Sequence, residues 1–289
     1  YHYKGSHHYE DKKNLNIKNY IEYEKKINNI STDFKVLFIT SSTKKMYNKQ
    51  GKVFLNSFFK YQNDDLLYLT ENFKLDINKE NLIEYDILNH KFLIDWLEKF
   101  KYLIPKELEG DYNIKSNKYN FMTPKTTYNV KHNLFKGDWN FKASLWFRKI
   151  ASLHYAYEKF KDKYNTFIWV DIDSLINKKI NKVYINKLFN NKDFFYNHTN
   201  FRNSKDFGIE AGFMGCRKYD ILLDIFKCYT EGDFEKFKRW DDGYIIKQII
   251  FSKKYKNSIN NISDNYDIEH YIIHLKGIHW RNKIDYERD

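Results

Sequence analysis

Two aspartates one residue apart, Asp171 and Asp173, directly follow the apolar run 167–170. The run is long enough for a buried strand and too short for a typical helix. Residues two apart in an extended segment point to the same side, so both carboxylates can face one cation. Paired carboxylates suit a hard divalent ion such as Mg²⁺ or Mn²⁺, which also binds diphosphate oxygens. The spacing therefore indicates a metal site.

A polar turn at the end of a strand is the plain alternative, because aspartate and serine are common in such turns. An Asp-x-Asp pair taken alone also arises often by chance. The strand before the pair and the apolar residues 175–176 after it favour the metal site. If 167–170 is a central parallel strand, both aspartates emerge at its carboxyl end, where open α/β sheets bind their ligands.

Hydroxyl and cationic side chains in the first half of the chain are further candidates. Thr40 and Ser41 follow the first predicted strand, where their hydroxyls would hydrogen-bond a nucleotide or cap the next helix. Arg148 and Lys149 lie in the middle of the most regular predicted helix, 141–160. They form either a solvated charged face or a contact with phosphate or sugar.

Carboxylates in the second half of the chain complete the set. Glu210 lies in the apolar segment 207–215, whose three glycines permit close approach of the backbone to a ligand. The glycine spacing does not match a dinucleotide-binding or P-loop fingerprint. Asp241 and Asp242 open a predicted helix, where either one could be an ordinary N-cap.

The elements that must position these residues alternate between strands and helices up to residue 175. Apolar runs predict strands at 34–39, 65–70, 82–88, 167–170 and 194–196. Helical spacing predicts helices at 52–61, 92–100, 141–160, 219–228 and from 240 onward. Residues 105–138 hold both prolines and are predicted to form a long surface excursion. The alternation predicts an α/β fold with a mainly parallel sheet flanked by helices.

The composition is that of a folded protein. A chain of 289 residues with 42% hydrophobic and 19% aromatic residues can bury a sizeable core. The net charge of +12 fits non-specific nucleic-acid binding or a cationic surface that attracts phosphorylated small molecules. Lysines are spread along the chain among acidic residues, and no nucleic-acid-binding motif is recognisable. No specific nucleic-acid partner is therefore expected.

Cysteine content and hydropathy bear on the compartment. Cys216 and Cys228 are the only cysteines, and their spacing is not that of metal ligands, which favours a reducing compartment. No apolar stretch approaches the roughly 20 residues of a transmembrane helix, and the N-terminal residues lack the apolar core of a signal peptide. We therefore expect a cytoplasmic protein. Because the sequence begins with Tyr1, removal of an anchor or targeting segment is the open alternative.

The order of these motifs resembles that of the GT-A glycosyltransferases. The closest likeness is to metal-dependent families with an Asp-x-Asp motif and a late His-x-x-Gly element, here His274 to Gly277. Residues 146–173 also resemble the stretch before Asp-x-Asp in eukaryotic and viral galactosyl- or mannosyltransferase-like sequences. The resemblance covers roughly residues 34–281 and lies in the motif order.

The resemblance implies a GT-A (Rossmann-like) fold, with a mixed, mainly parallel sheet flanked by helices in one large domain at 34–281. The nucleotide-sugar half would be 34–176 and the acceptor half 177–281. A helical extension is expected at 1–33, where 15–30 has amphipathic spacing. A charged tail is expected at 282–289.

The resemblance further implies a hexosyltransferase that takes a sugar from a nucleoside-diphosphate sugar, expected to be a UDP-sugar. The acceptor would be a hydroxyl of a glycan, protein or lipid. Asp171, Asp173 and His274 would hold Mn²⁺ or Mg²⁺. The implied nucleotide-sugar contacts are Thr40, Ser41, Arg148, Asp171, Asp173, Gly277 and Arg281.

The closing motif departs from the family pattern His-x-x-Gly-x-x-Lys. Trp280 stands where the phosphate-binding lysine belongs, so Arg281, Lys276 or Lys283 would have to supply that positive charge. The His-x-x-Gly element is otherwise like that of retaining families, which favours retention of configuration at the transferred carbon.

The carboxylates implied on the acceptor side are Asp242, Asp241 and Glu210. In a retaining enzyme such a carboxylate would orient sugar hydroxyls, and in an inverting enzyme it would act as general base on the acceptor hydroxyl. We favour Asp242 over Asp241. For each of them, N-capping and surface charge remain the alternative reading.

Two other functions fit parts of the sequence. A Mg²⁺-dependent nucleotidyltransferase also pairs carboxylates, but such enzymes usually have a glycine-rich phosphate loop after the first strand, and residues 40–45 contain no glycine. A basic nucleic-acid-binding protein would use the aromatic and lysine content for stacking and phosphate contacts. The oligomeric state is left open by the sequence.

Overall fold

The fold is known from a computed structural model that describes residues 33–99, 132–197, 208–231, 241–263 and 266–274. In the longest helix, side chains are described from residue 146 onward. The strands are β1 (Val36–Thr43), β2 (Asp65–Glu71), β3 (Leu82–Asp86), β4 (Thr166–Val170), β5 (Ser174–Ile176), β6 (Phe194–Asn197), β7 (Glu210–Cys216), β8 (Ile259–Asn261) and β9 (Ile272–His274). The helices are α1 (Lys52–Tyr61), α2 (Lys91–Lys99), α3 (His132–Phe160), α4 (Lys182–Phe189), α5 (Tyr219–Thr230) and α6 (Asp242–Ile250).

Seven strands form one central sheet in the order β3-β2-β1-β4-β7-β6-β8. Strands β3, β2, β1 and β4 run parallel to one another. Strand β7 is antiparallel to both of its neighbours, β4 and β6, while β8 is parallel to β6. The fold is therefore mixed α/β, with a mainly parallel sheet flanked by helices in a single domain, as predicted.

Strand β4 lies in the middle of the sheet and is buried on both faces. Phe167 and Trp169 belong to the hydrophobic cluster on one face, whereas Ile168 and Val170 belong to the cluster on the other. This two-sided burial explains why the sequence shows a continuous apolar run in place of alternation. It also places the residue that follows β4 at the carboxyl end of the sheet.

A second, two-stranded sheet joins β5 to β9 in antiparallel register, with Ser174 opposite His274. The backbone N–H of Ile176 donates a hydrogen bond to Ser57 Oγ of helix α1 at 3.1 Å. The ribbon is therefore tied to the helix layer that covers one face of the main sheet. The pairing of β5 with β9 brings His274 beside the residues that follow β4.

Helix α3 is longer than predicted, because it begins at His132 and the sequence pattern placed its start at 141. The last residues of the predicted excursion at 105–138 are therefore helical, and the excursion before 132 lies outside the described residues. Gly137 and the asparagines at 133 and 140 have low helix propensity. Continuity with a long, packed helix outweighs these local preferences, which are only a weak guide.

Strand β1 also runs further than predicted, through Thr43 and not only to residue 39. Its pairing with β2 continues from Thr40 opposite Tyr68 to Thr43 opposite Glu71, so these ladder hydrogen bonds keep the hydroxyl-rich residues extended. The prediction that this strand ends at residue 39 is therefore wrong. Thr43 caps a short helix at Lys44–Met46 by accepting from the Met46 N–H at 3.3 Å.

The remaining predicted elements differ from the structure mainly at their ends. Strand β3 stops at Asp86, two residues early, and helix α5 continues two residues beyond 228 to Thr230. The predicted extension up to residue 32 and the predicted tail at 282–289 lie outside the described residues. Within the part of the chain that is described, no helix combines the length and apolarity needed to cross a membrane.

A pair of histidines is packed between helices α2, α3 and α5. The ring centroids of His90 and His154 are 5.7 Å apart, and the Phe226 ring stacks on His154 at 3.9 Å. Burial, with a smaller contribution from His154, lowers the pKa of His90 to about 4, against the opposing effect of Glu158. Burial likewise lowers the pKa of His154. Both rings are thus kept neutral in the folded protein at pH 7.

Acidification should therefore destabilise the fold through His90. Its folded pKa of about 4 lies below its ordinary value of 6.5, so the unfolded chain binds more protons between these two pH values. The stabilisation is fully present above pH 6.5 and is lost as the pH falls toward 4. We expect His90→Phe to reduce the loss of unfolding free energy between pH 7 and pH 5 by about 1 kcal/mol. Urea denaturation at the two pH values measures this loss, and equal losses in both proteins would contradict the prediction.

Candidate metal centre

Strand β4 delivers Asp171 to the carboxyl end of the sheet. The Asp171 N–H donates to the Gly212 carbonyl of β7 at 2.7 Å, which extends the β4–β7 pairing by one residue. The Asp171 carbonyl then accepts from the Ser174 N–H at 3.1 Å, so residues 171–174 form a turn. The segment from Asp171 to Asp173 is therefore a turn. The extended conformation that was assumed from the two-residue spacing is wrong. The turn nevertheless directs both carboxylates toward one point.

The pairing of β5 with β9 brings His274 to the same point. Its Nε2 atom lies 2.8 Å from Asp173 Oδ1 and 3.8 Å from Asp171 Oδ2. One ligand atom from each of the three residues can be chosen so that all lie within 4.8 Å of one another. The structure thus brings together Asp171, Asp173 and His274, the three residues that the sequence indicated as metal ligands.

The His274 ring packs directly against Gly212 of β7. A Cβ atom at this position would lie 2.5 Å from His274 Cε1 and 3.2 Å from Asp171 Oδ2. The imidazole can therefore lie against the strand only because residue 212 has no side chain. This close approach accounts for one of the glycines in the apolar segment 207–215.

The donor set fits a divalent cation. Two ligands on opposite sides of an ion are separated by at most about twice a metal–ligand bond of roughly 2.0–2.6 Å. The separations within the Asp171, Asp173 and His274 group fall inside that limit. Two carboxylate oxygens and one imidazole nitrogen would hold the ion, and hard oxygen donors favour ions such as Mn²⁺ and Mg²⁺.

Lys149 of helix α3 reaches into the same site. Its Nζ lies 2.8 Å from Asp171 Oδ1, 2.5 Å from Asp242 Oδ2 and 3.1 Å from the Ala211 carbonyl. The side chain is only 12% exposed. An ammonium group has three N–H donors, so these three acceptors use all of them. The first of the two alternatives given for this lysine, a solvated charged face, is therefore wrong.

The sequence contained a weak signal for Lys149. It stands three residues after Trp146 and four before Leu153, on the apolar face of the helix. A lysine on such a face must find acceptors when the face is buried, because an unpaired buried charge is costly. The carboxylates that it meets come from distant parts of the chain and were not predicted as its partners.

The charges on Lys149 and Asp171 support each other. Burial acts to raise the pKa of Asp171, but the Lys149 ammonium and His274 outweigh it and hold that pKa below its ordinary value. Burial acts to lower the pKa of Lys149, but Asp171 and Asp242 outweigh it and raise that pKa. Asp171 Oδ1 also accepts from Trp169 Nε1 at 2.6 Å. Oδ1 is therefore held by the protein, while Oδ2 faces His274.

The two aspartates before helix α6 have different partners. Asp241 is the N-cap, because its Oδ1 accepts from the Tyr244 N–H at 3.0 Å. Asp242 directs Oδ2 toward Lys149, and its Oδ1 accepts from the Gly243 N–H at 2.8 Å. The structure thus places Asp242 beside the metal centre and gives Asp241 the ordinary capping contact.

Two glycines allow α6 to approach β7. A Cβ atom on Gly208 or on Gly243 would lie 2.4 Å from backbone atoms of the other segment. The Ile209 N–H donates to the Gly243 carbonyl at 3.0 Å across this contact. The first turn of α6 is therefore fixed against the start of β7, which holds Asp242 close to Ala211 and Lys149.

Glu210 lies on the His274 side of the centre. Its Oε1 is 3.5 Å from His274 Nδ1, and its side chain is 18% exposed. Because Glu210 and Gly212 are two residues apart in β7, they share one side of the strand. The carboxylate thus stands next to the ring nitrogen that faces away from Asp173.

Three of the predicted nucleotide contacts, Thr40, Ser41 and Arg148, lie in β1 or beside the carboxyl end of β2. Arg148 Nε lies 3.0 Å from Glu71 Oε2, and both side chains are 10% exposed. Burial raises the pKa of Glu71, with Arg148 opposing the effect. Thr40 is fully buried and Ser41 is half-buried, on opposite sides of β1. Gly277 and Arg281 lie outside the described residues.

Comparisons with known proteins give likenesses in structure only. No known protein-family model matches the chain, and no curated protein sequence matches it. One similar solved structure is a glycosyltransferase involved in the glycosylation of the major capsid of PBCV-1, with 12% identity, 88% of this chain and 98% of that chain covered, and a TM-score of 0.45. Another is mouse xyloside xylosyltransferase 1 in its apo form, with 11% identity and a TM-score of 0.42. The match covers 79% of this chain and 84% of that chain. Function has to be inferred from the site itself.

Loss of the Lys149 ammonium should destabilise the folded state. In Lys149→Met, the carboxylates of Asp171 and Asp242 would remain partly buried without their counter-charge, at a cost of about 3 kcal/mol. Lys159→Met, at an exposed position of the same helix, should change the unfolding free energy by less than about 0.5 kcal/mol. Urea denaturation at pH 7 with a chelator measures both. Equal stability of the two variants would show that the buried ion pairs contribute little.

A side chain at position 212 should weaken metal binding. In Gly212→Ala, the added methyl group would displace the His274 ring, and we expect Mn²⁺ affinity to fall by about 10- to 100-fold. Gly215→Ala is the matched control, because its methyl group would meet the Phe195 ring and not the metal centre. Titration calorimetry with Mn²⁺ compares the two. A larger loss in Gly215→Ala would contradict the role given to Gly212.

Proposed function

We propose that the chain is a metal-dependent hexosyltransferase that uses a nucleoside-diphosphate sugar, specifically a UDP-sugar. It would transfer the sugar to a hydroxyl of a glycan, protein or lipid, with retention of configuration. The observation that carries the proposal is the convergence of Asp171, Asp173 and His274 at the carboxyl end of β4. Ligands of open α/β sheets bind at that edge. The motif order of the sequence supports the same function.

The charge balance of the site favours a cation together with a phosphate ligand. Among the described residues, the Lys149 ammonium lies between the carboxylates of Asp171 and Asp242, and the Asp173 carboxylate lies beside His274. With neutral His274, this arrangement leaves surplus negative charge in a partly buried place. A divalent cation offsets part of that charge, and a diphosphate can then bind to the cation.

The chemistry of sugar transfer explains why these residue types are needed. A nucleoside diphosphate gains negative charge as its bond to the sugar breaks, and a bound divalent cation would stabilise that charge as a Lewis acid. The protein must hold its own donors in place beforehand. Lys149 and Trp169 fix Asp171 through Oδ1, which leaves Oδ2 turned toward His274.

Asp242 is the proposed carboxylate for the reacting sugar. Each of its oxygens already accepts one hydrogen bond, Oδ2 from Lys149 and Oδ1 from the Gly243 N–H. A carboxylate oxygen can accept a second hydrogen bond, so Asp242 has capacity to orient sugar hydroxyls without losing its position. This orienting role fits retention better than removal of a proton from the acceptor.

The nucleotide is proposed to bind over the first part of the sheet. Residues 34–176 would form the nucleotide-sugar half and residues 177–281 the acceptor half. Thr40, Ser41 and Arg148 are the proposed contacts at the ends of β1 and β2, and Gly277 and Arg281 are proposed contacts outside the described residues. Glu71 would keep the Arg148 guanidinium oriented at this edge.

Release of UDP, GDP or CMP from the corresponding UDP-, GDP- and CMP-sugars tests the proposal. We expect release from a UDP-sugar in the presence of Mn²⁺ and none with a chelator, because the cation must offset the charge on the leaving group. Asp173→Ala removes one metal ligand and should lower turnover by more than about 100-fold. Asp95→Ala, at an exposed and ion-paired position of α2, should leave turnover unchanged.

Two outcomes would overturn this function. Undiminished turnover in Asp173→Ala would remove the metal centre from the reaction. Release of pyrophosphate from a nucleoside triphosphate, without release of a nucleoside diphosphate from any sugar nucleotide, would instead identify a nucleotidyltransferase.

A further inference from the structure

We propose that Glu210 is a positioning residue of the metal centre. Its carboxylate would accept the Nδ1–H of His274, so that the ring presents Nε2 to the metal. The inference deepens the proposed function, on which it rests for the metal centre but not for sugar transfer. It gives Glu210 a role on the metal side, where the sequence had placed it among the carboxylates for the acceptor.

The two nitrogens of the His274 ring face different carboxylates. Nε2 lies 2.8 Å from Asp173 and 3.8 Å from Asp171, which are the other proposed ligands. Nδ1 lies 3.5 Å from Glu210 Oε1, on the other side of the ring. A neutral imidazole carries its hydrogen on one nitrogen and offers a lone pair on the other. A carboxylate acceptor at Nδ1 therefore selects the form that binds metal through Nε2.

Strand β7 fixes the imidazole by contacts on two sides. Gly212 lies under the ring, where a Cβ atom would come within 2.8 Å of Nδ1. Glu210, on the same side of the strand, stands beside Nδ1. The same strand is anchored to the metal centre by the hydrogen bond from the Asp171 N–H to the Gly212 carbonyl. A shift of Glu210 relative to Asp171 would therefore require distortion of the β4–β7 pairing.

The contact between Glu210 and His274 is only partly exposed to solvent. Its side chain is 18% exposed and that of His274 is 20% exposed, so solvent screens the pair only in part. The 3.5 Å separation exceeds the roughly 2.9 Å of an ideal N–H···O hydrogen bond, so metal binding would have to tighten it. Carboxylate partners of this kind orient metal-binding histidines, and their loss usually costs about 10- to 100-fold in metal affinity.

The test measures metal binding without any sugar nucleotide. Mn²⁺ is titrated by calorimetry into the wild-type chain, Glu210→Ala and Glu210→Gln, and the visible absorption of bound Co²⁺ is recorded for each. We expect Glu210→Ala to bind Mn²⁺ about 10- to 100-fold more weakly and to alter the Co²⁺ spectrum. Glu210→Gln should recover part of the loss, because its amide oxygen can still accept from Nδ1–H.

Glu269→Ala is the matched control, since this glutamate is exposed on the short helix just before β9. It should bind both metals as the wild type does. Urea denaturation without metal shows whether each variant is folded. If Glu210→Ala does not fold, the comparison of Glu210→Gln with the wild type decides the test. For a folded Glu210→Ala, Mn²⁺ affinity within twofold of the wild type would overturn the proposal. The proposal would also be overturned if Glu210→Gln bound Mn²⁺ no more tightly than Glu210→Ala.

The outcomes separate this proposal from the proposed enzyme activity. If the wild type binds Mn²⁺ and Glu210→Ala loses it, Glu210 has the positioning role even when no sugar nucleotide is turned over. If sugar transfer is found but metal affinity is the same in all variants, the transferase stands and the role of Glu210 falls. A wild-type chain that binds neither Mn²⁺ nor Co²⁺ overturns both.

Discussion

A single buried ammonium group joins the parts of the chain that build the site. Lys149 extends from α3 and contacts Asp171 after β4, the Ala211 carbonyl in β7 and Asp242 at the start of α6. Each contact alone would leave the lysine or a carboxylate incompletely satisfied, and a partly buried charge without a partner is costly. Helix, sheet and second helix must therefore all be in place before the charges balance. This constraint fixes Asp242 relative to Asp171.

Local patterns in the sequence predicted the parallel half of the sheet and the aspartates after β4. Burial of β4 on both faces leaves a continuous apolar run, which can be read without knowledge of its neighbours. The contact between His274 and Asp173 spans 101 positions and depends on the pairing of two three-residue strands. No periodicity reveals such a short pairing. His274 was found only because the motif order resembled that of known enzymes.

The contacts that the sequence could not predict are those decided by tertiary packing. The apolar face of α3 contains Lys149, but nothing local shows that Asp242, 93 positions later, supplies the counter-charge. The sequence shows that residues 208 and 243 are glycines, but it does not show why. Only the structure shows that each glycine makes room for the backbone of the other segment. The hydroxyl residues at the end of β1 were not predicted as part of the strand, because their strand character comes from pairing with β2.

The proposed metal centre takes its ligands from two layers of the fold, one on each face of the sheet. Asp171 follows β4 and is held by α3, which packs on one face of the sheet. Asp173 directly precedes β5 and His274 ends β9, and residues Ile176 and Ile272 of this β5–β9 ribbon belong to the hydrophobic cluster on the other face. A cation that contacts all three ligands therefore connects both layers. If such a cation binds the folded chain and not the unfolded one, its binding free energy adds to the stability of the whole domain. Metal affinity would thus report on packing far from the site as well as on the ligands themselves.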